Sequence, residues 1–280
     1  MRRIPFSQVL KNSKVDINRE YKRLYKLFYS RQIVSDCEEG VNLSNLCADC
    51  FMKLPFRGTC VSINDFNDFH GYRFRESPKD FNIDYLISFC EYSYNLVNCS
   101  GGISRYSLTP DMHQVILFYL TQVKKVIETV GYMENIQNGI TDFVPKDQCA
   151  ISVAEIVDPS LSYKVIEYHH HSMKGDWVRK RETLVALVDK LEPQRAKLRQ
   201  INTSLETDLF FLFNNVNLRH NNADSNGKNY KLFVAKMAES EIEKWYDDTY
   251  QMCLLAFLEL EHLDRKPRIG QLKTDIQNNA

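Results

Sequence analysis

The chain has 280 residues, enough for one large domain or two modest ones around a proper buried core. Lysine plus arginine equals aspartate plus glutamate at 36 each, so the formal net charge is zero. That excludes a broadly basic nucleic-acid binder but leaves room for a small phosphate-reading site. The N-terminus lacks an apolar stretch of signal-peptide length, and the apolar runs break well short of a membrane span. The expectation is a soluble, cytoplasmic protein with no membrane partner.

Eight cysteines are many, yet they fall too often inside helical patterns for a small disulfide scaffold. Cys90 and Cys253 sit in helical runs where a reduced thiol packs as a small apolar group.

In chain order, Ile17 to Val34 has helical spacing, with Tyr21, Leu24, Tyr25, Phe28 and Tyr29 on one face. Asp16 stands where an N-cap belongs. Arg19, Lys22, Arg23 and Lys26 form the other face. It reads as a solvated surface, because Glu20, Asp36, Glu38 and Glu39 lie close by. Cys37, Cys47, Cys50 and Cys60 come next, with nine residues between each outer cysteine and the central Cys-x-x-Cys. Four thiolates can close a tetrahedral zinc site, but structural sites use two tight pairs on turns. Here only one pair is tight, and Leu43 to Phe51 reads as a short amphipathic helix. Free thiols are the expectation, and no metal or cofactor is assigned.

Leu54 to Asp80 carries Pro55, Gly58, Gly71 and Pro78 between the rings of Phe56, Phe66, Phe69, Tyr72 and Phe74. This predicts a long loop pinned to the core by aromatics, with Phe81 just after it. Arg57, His70, Arg73 and Arg75 interleave with the rings, a pattern that can stack bases. Asp65, Asp68 and Glu76 remove any basic surplus and favour the packed loop.

A helix is predicted over Ile83 to Val97, closed by Ser100-Gly101-Gly102. Thr109-Pro110-Asp111 opens the next, with proline near the first turn. It runs from Asp111 to Glu134 with so broad an apolar side that it is placed as the central helix. Asn138-Gly139 and Pro145 mark a connection. Periodicity leaves Ala150 to Val157 open between strand and helix, and helix is assigned. Asp158-Pro159 starts a helix over Leu161 to Met173 that includes His169, His170 and His171. Three successive helical histidines point in three directions and cannot chelate one ion, so they read as a surface patch. Trp177 to Leu191 forms another helix, Pro193 kinks the chain after it, and the stretch from Gln194 is helical.

The most informative stretch comes next. Ile201, Leu205, Leu209, Leu212 and Val216 recur at three- and four-residue steps on one stripe, and the helix is expected to continue without a gap through Arg219, His220, Asn221 and Asn222. On such a helix Arg219 and His220 emerge beside the buried stripe. There a guanidinium and an imidazole need a carboxylate or a phosphate as partner. Residues 223–229 are a loop. The last long helix is expected over Glu239 to Leu263, and Arg265 to Ala280 is a polar, frayed tail.

A bundle of long helices in which a late helix ends in Arg followed at once by a polar residue resembles the HEPN superfamily. The family motif is an Arg, a polar residue such as Asn, Asp or His, and a His further on. Arg219 and His220 match its first two places; Asp224, Ser225 and Asn226 stand where the distal His would fall. The resemblance implies an all-α, multi-helix bundle over 81–264, with an irregular aromatic-rich segment over 1–80 and the tail over 265–280. It also implies a cytoplasmic homodimer in a bacterial defence, abortive-infection or toxin–antitoxin system, with a neutralising or defence partner protein. The implied activity is metal-independent endoribonuclease chemistry on RNA, in which the 2′-hydroxyl attacks the adjacent phosphate and leaves a 2′,3′-cyclic end. On that reading Arg219 steadies the phosphoryl oxygens and His220 moves the proton. Asn221, Asn222, Lys228 and Lys231 bind the substrate backbone.

The competing reading is a non-catalytic helical interaction module, for dimerisation or partner binding. In it Arg219 and His220 form a structural network with a carboxylate such as Asp224, Glu243 or Asp247. An open cleft over the pair favours the enzyme, and carboxylates closing over it favour the module. A third reading is a zinc-stabilised regulator built on the four early cysteines.

Overall fold

The structure is a computed structural model that describes residues 16–30, 33–35, 38–103 and 110–278. Contacts divide the chain into two compact units, Met1–Phe143 and Val144–Ala280. Residues 81–143 therefore group with the N-terminal segment. Among the described residues no helix is long and apolar enough to cross a membrane. The architecture is all-α with two small two-stranded sheets among the described residues.

In the first unit α1 (Ile17–Tyr29) begins at Asp16, whose carboxylate accepts the amides of Asn18 and Arg19, and buries Tyr21, Leu24 and Phe28. Burying each such side chain contributes about 1.5–3 kcal/mol, which a thirteen-residue helix needs, since short helices are marginal alone. The helix stops at Tyr29, short of the expected Val34. Ile33–Ser35 (β1) and Glu38–Val41 (β2) pair antiparallel instead. Leu43–Cys50 (α2) is the expected short helix, capped by Asn42.

The predicted loop over 54–80 contains a helix, α3 (Ile63–His70). Its start is a reciprocal cap: the Ser62 hydroxyl accepts the Asp65 amide, and the Asp65 carboxylate reaches back to the Val61 amide. Its end is Gly71, at a left-handed φ of 72° that favours glycine. The rings do pin this segment, with Phe66 against Tyr72 and Tyr72 against Phe74 and Tyr92.

Ile83–Ile103 (α4) runs past the predicted glycine stop. It is the helix at the centre of this unit, with Leu86, Ile87, Phe89, Cys90, Leu96 and Val97 all buried. Pro110–Thr129 (α5) buries one face, Ile116, Tyr119, Val123, Val126 and Ile127, and leaves Leu117 exposed, so it flanks the core and is not its axis. The residues expected to end it instead form a hairpin, Tyr132–Gln137 (β3) and Ile140–Pro145 (β4). Asn138 and Gly139 both take positive φ, 52° and 79°, as the tight turn between twisted strands requires. Asn95 of α4 holds the hairpin by exchanging two hydrogen bonds with the Thr141 backbone, at 2.7 and 2.9 Å.

The second unit is a bundle of Gln148–Ile156 (α6), Pro159–Glu167 (α7), Trp177–Leu191 (α8), Arg195–Ile201 (α9), Thr203–Asn215 (α10), the short Leu232–Ala235 (α11) and Glu239–Asn278 (α12). The undecided segment after Ala150 is helical. Leu184, Leu187 and Leu191 of α8 meet Tyr250, Cys253 and Leu254 of α12 in one core. The rings of Tyr168 and Tyr250 stack in parallel at 3.9 Å, and the Tyr250 hydroxyl donates to the Val165 carbonyl.

The histidine run departs from expectation. Helix α7 ends at Glu167, so the three histidines lie on a turn and a short 3-10 segment. His170 is buried, its ring bonded to Ser172, while His169 lies edge-on to Tyr250. Burial holds His169 below the usual imidazole range. The tail also departs: α12 continues as helix to Asn278, although every residue from Asp264 to Asn278 is exposed.

Candidate functional site

The helix carrying the apolar stripe is interrupted twice. Asn202 closes α9 and caps α10, its side chain accepting the Leu205 amide and donating to Glu259. Helix α10 then ends at Asn215, where the sequence predicts continuation to Asn222. Asn217 turns into the left-handed region at φ 62°, and the Arg219 amide folds back onto the Phe213 carbonyl. Asparagine tolerates this backbone better than most residues. Arg219 and His220 therefore belong to a loop.

That loop is locked from inside by Asn222, which is completely buried. Its side-chain amide donates to the Asn214 and Asn229 carbonyls. Its side-chain oxygen accepts the Asn217 amide, and its own amide donates to the Asn217 side chain. Lys231 donates to its carbonyl. All its polar atoms are satisfied, as burial demands. From outside the loop, the Arg181 guanidinium donates to the carbonyls of Asn217 and Leu218 at 2.5 and 3.1 Å.

Arg219 points its guanidinium to the Glu192 carboxylate at 2.9 Å and to Asn214 at 3.3 Å. Both partners of this ion pair are partly exposed. His220 is half-buried, and Asn221, Lys228 and Lys231 are exposed. Asn221 spends its side-chain oxygen on the Asp224 amide. Arg219 and Asn221 are thus exposed on the loop with the half-buried His220 between them in sequence, while Asn222 serves its interior.

The carboxylates expected near Arg219 have other work. Asp224 caps the amide of Asn226. Glu243 and Asp247 both hold Lys180, at 2.7 and 2.8 Å. Lys180 is buried, and its ammonium also lies 5.4 Å from the centre of the Tyr168 ring. Burial alone would raise Glu243, but the Lys180 ammonium and the Gly175 amide outweigh it, and the carboxyl lies below its usual range. Sequence reasoning missed this cluster, although Lys180 shares a helical face with Leu184, Leu187 and Leu191. It missed a second one as well: Glu206, fully buried, is clasped by Arg199 and Arg195. The Arg199 guanidinium is the main cause that holds Glu206 below the ordinary carboxylate range, with Arg195 adding to it.

Beside the loop lies an apolar groove of about 470 Å³. Its lining includes Phe211 and Val216 at the end of α10, Phe233 and Met237 around α11, and Trp245 and Met252 of α12. Phe233 is 74% and Phe211 62% exposed, while their neighbours Phe210 and Phe213 are buried.

No family model, curated protein or solved structure matches this chain.

The early cysteines do not make a metal centre among the described residues. Cys37 lies outside them. Cys47, Cys50 and Cys60 are buried in the first unit and do not bring three ligand atoms within 4.8 Å of one another. Burial pushes the Cys47 thiol up to about 12, away from the thiolate that zinc binds.

Proposed function

We propose that this chain is an interaction protein whose C-terminal unit docks an amphipathic helix in the groove between α10, α11 and α12. The observation that carries the reading is the exposure of Phe211 and Phe233 on an apolar recess that also holds Trp245 and Met252. Contiguous exposed apolar surface costs solubility and is retained where a partner covers it. Large aromatics are the anchors around which such interfaces concentrate their energy. A groove between helices takes the apolar face of a further helix by its i, i+3 and i+4 side chains. Glu192, closing on Arg219, fits the same reading, with the polar loop acting as a brace for the groove wall at Val216.

The test is selection of amphipathic peptides on the full-length protein, followed by titration read through tryptophan fluorescence. Peptides that bind should lose at least about tenfold in affinity on Phe233→Asp, equivalent to about 1.4 kcal/mol. Selection that yields only peptides indifferent to Phe233→Asp and Trp245→Ala would overturn the reading.

One observation favours a second reading, the HEPN-like ribonuclease. The loop is tied together by Asn222, exposes Arg219 and Asn221 on either side of the half-buried His220, and leads to the exposed Lys228 and Lys231. An exposed ion pair such as Arg219 with Glu192 is worth only about 0–1 kcal/mol, so an RNA phosphate can displace it. Under this reading a homodimer and a toxin–antitoxin or defence-system partner are implied by the family resemblance. The check is incubation with RNA in the presence of a chelator. Products with 2′,3′-cyclic ends should vanish in Arg219→Ala and His220→Ala, and equal cleavage by all three proteins removes the reading.

A further inference from the structure

The last third of α12 is a helix with no other element packed on it among the described residues. Its buried residues end at Phe257, and every residue from Asp264 to Asn278 is exposed. Within that overhang Ile269, Leu272 and Ile276 recur at steps of three and four, a single apolar stripe, with Leu272 58% and Ile276 61% exposed. The segment is also a poor helix by composition. Pro267 lies inside it, and Gly270 stands three residues later. Proline and glycine are the two residues least favourable in a helix interior. An isolated solvated helix has little to offset that, so this one calls for a surface to lie on.

The groove on the same unit has the matching chemistry. Residues 265–278 carry Arg265, Lys266, Arg268 and Lys273 against Asp275 alone. Around the groove, Asp208 lines the wall. Glu241 stands four residues before Trp245, and Asp248 four before Met252, so both carboxylates flank the apolar floor on α12. Lys236, beside Met237, and Lys244, beside Trp245, carry the opposing charge, two against three. A basic amphipathic helix thus meets an apolar recess whose one charged lining residue is Asp208 and whose border is net acidic by one charge.

One chain cannot make this contact with itself. Trp245 and Leu272 belong to one continuous helix, and at 1.5 Å per residue they lie about 40 Å apart along it. We infer that residues 265–278 of a second copy occupy the groove, and that each chain lends its overhang to the other. Such an exchange is self-complementary and closes as a two-fold dimer, without open-ended growth. The inference rests on the groove as a helix-docking surface and names its occupant.

The experiment is light scattering coupled to size-exclusion chromatography on the full chain at micromolar concentration. Wild type should run as a dimer. Leu272→Asp with Ile276→Asp, both at exposed positions, should run as a monomer that still unfolds in one cooperative thermal transition, at a midpoint lowered only by the lost association. Phe233→Asp should do the same from the groove side. Mixing the tail variant with the groove variant should restore a dimer, because one intact overhang then meets one intact groove. A monomeric wild type, a dimer that survives both aspartates, or a mixture that stays monomeric overturns the exchange. If the exchange fails while selected peptides still bind in a manner sensitive to Phe233→Asp, only the occupant is wrong. If those peptides fail too, the groove reading goes with it.

Discussion

Lys180→Met tests the buried polar wiring of the second unit most directly. Methionine keeps the length and apolar stem of lysine and removes only the charge. In the native protein that charge holds Glu243 at 2.7 Å and Asp247 at 2.8 Å. Removing one partner of a buried ion pair costs about 3–5 kcal/mol, because the remaining charge is stranded. Asp247 is half-exposed and Glu243 keeps the Gly175 amide, so water and backbone recover part of this. A loss of about 2–4 kcal/mol is the expectation, given that hydrogen bonds to charged groups contribute about 1.5–3 kcal/mol. Urea unfolding followed by tryptophan fluorescence reads it cleanly, because both tryptophans, Trp177 and Trp245, lie in the second unit. With a slope of about 1–3 kcal/mol per molar urea, the midpoint should fall by about 1–2 M at pH 7. The effect of pH has a definite sign. Wild-type Glu243 is held down, so its contribution is present above the ordinary carboxylate pKa and is lost as pH falls through the folded value. Without Lys180, burial instead raises Glu243, and protonation relieves the variant as pH falls. The gap between the two proteins should therefore narrow from pH 7 towards pH 4. The triple change Lys180→Met, Glu243→Gln and Asp247→Asn should regain most of the loss, since nothing charged is left stranded. An unchanged midpoint, or a gap that widens in acid, would refute the assignment of Lys180 as the charge that satisfies both carboxylates.

The other consequences are simpler. Asn222→Ala leaves the Asn217 amide and the Asn214 and Asn229 carbonyls without their partner, and should cost about 1–3 kcal/mol on the same urea assay. Hydrogen exchange at the Asn217 amide should quicken in parallel, and an unchanged exchange rate there would show that the lock is not Asn222. Glu206→Gln should destabilise the second unit at neutral pH and flatten its acid dependence. Glu206 is depressed by Arg199 and Arg195, so its stabilisation exists above an unfolded pKa of about 4.3 and disappears as pH falls through the folded value. Acid titrations of the tryptophan signal should converge for wild type and Glu206→Gln as pH falls through the folded Glu206 value; parallel curves would contradict this.

Much of the helical architecture is legible in the residues, because amphipathic spacing is a strong signal where a helix has one wet face. Asp16 and the stripe of Tyr21, Leu24 and Phe28 locate α1, and Trp177 to Leu191 is placed to the residue. The features that escape are governed by short polar signals that compete with periodicity. Asn138-Gly139 is a hairpin signature, and Tyr132 to Glu134, expected in the helix, belong to the strand before it. Ser62 and Asp65 cap a helix inside a segment whose glycines and prolines suggest a loop. Asn202 and Asn217 break a stripe whose apolar residues alone read as unbroken, since an asparagine side chain offers the backbone another partner. The expected pairing of Arg219 with Asp224, Glu243 or Asp247 misses Glu192, because the helix stop re-aims Arg219 towards the end of α8. The full reach of α12 is hidden for the opposite reason: Pro267 and Gly270 argue locally against helix.

These breaks share a physical logic that bears on where the second unit does its work. Each interior charge sits on an apolar register and is answered from a neighbouring element: Lys180 from α12, Glu206 from α9. Asn222 and Arg181 answer the backbone groups exposed where α10 stops. Groups satisfied this way fix the position of elements, and a ligand would have to displace several good hydrogen bonds to recruit them. The end of α10 is therefore held in place, with Val216 and Phe211 lining the groove and Arg219 turned to Glu192. A rigid edge suits both candidate ligands, since ordering entropy is then settled before binding. The two differ in what the edge offers. On the polar side Arg219 already has a carboxylate, and a phosphate must replace it at little net gain. On the apolar side Phe211 and Phe233 have only water to lose, and each gains on being covered by about 25 cal/mol for every Å² removed from solvent. That asymmetry is the reason to place binding in the groove and bracing in the loop.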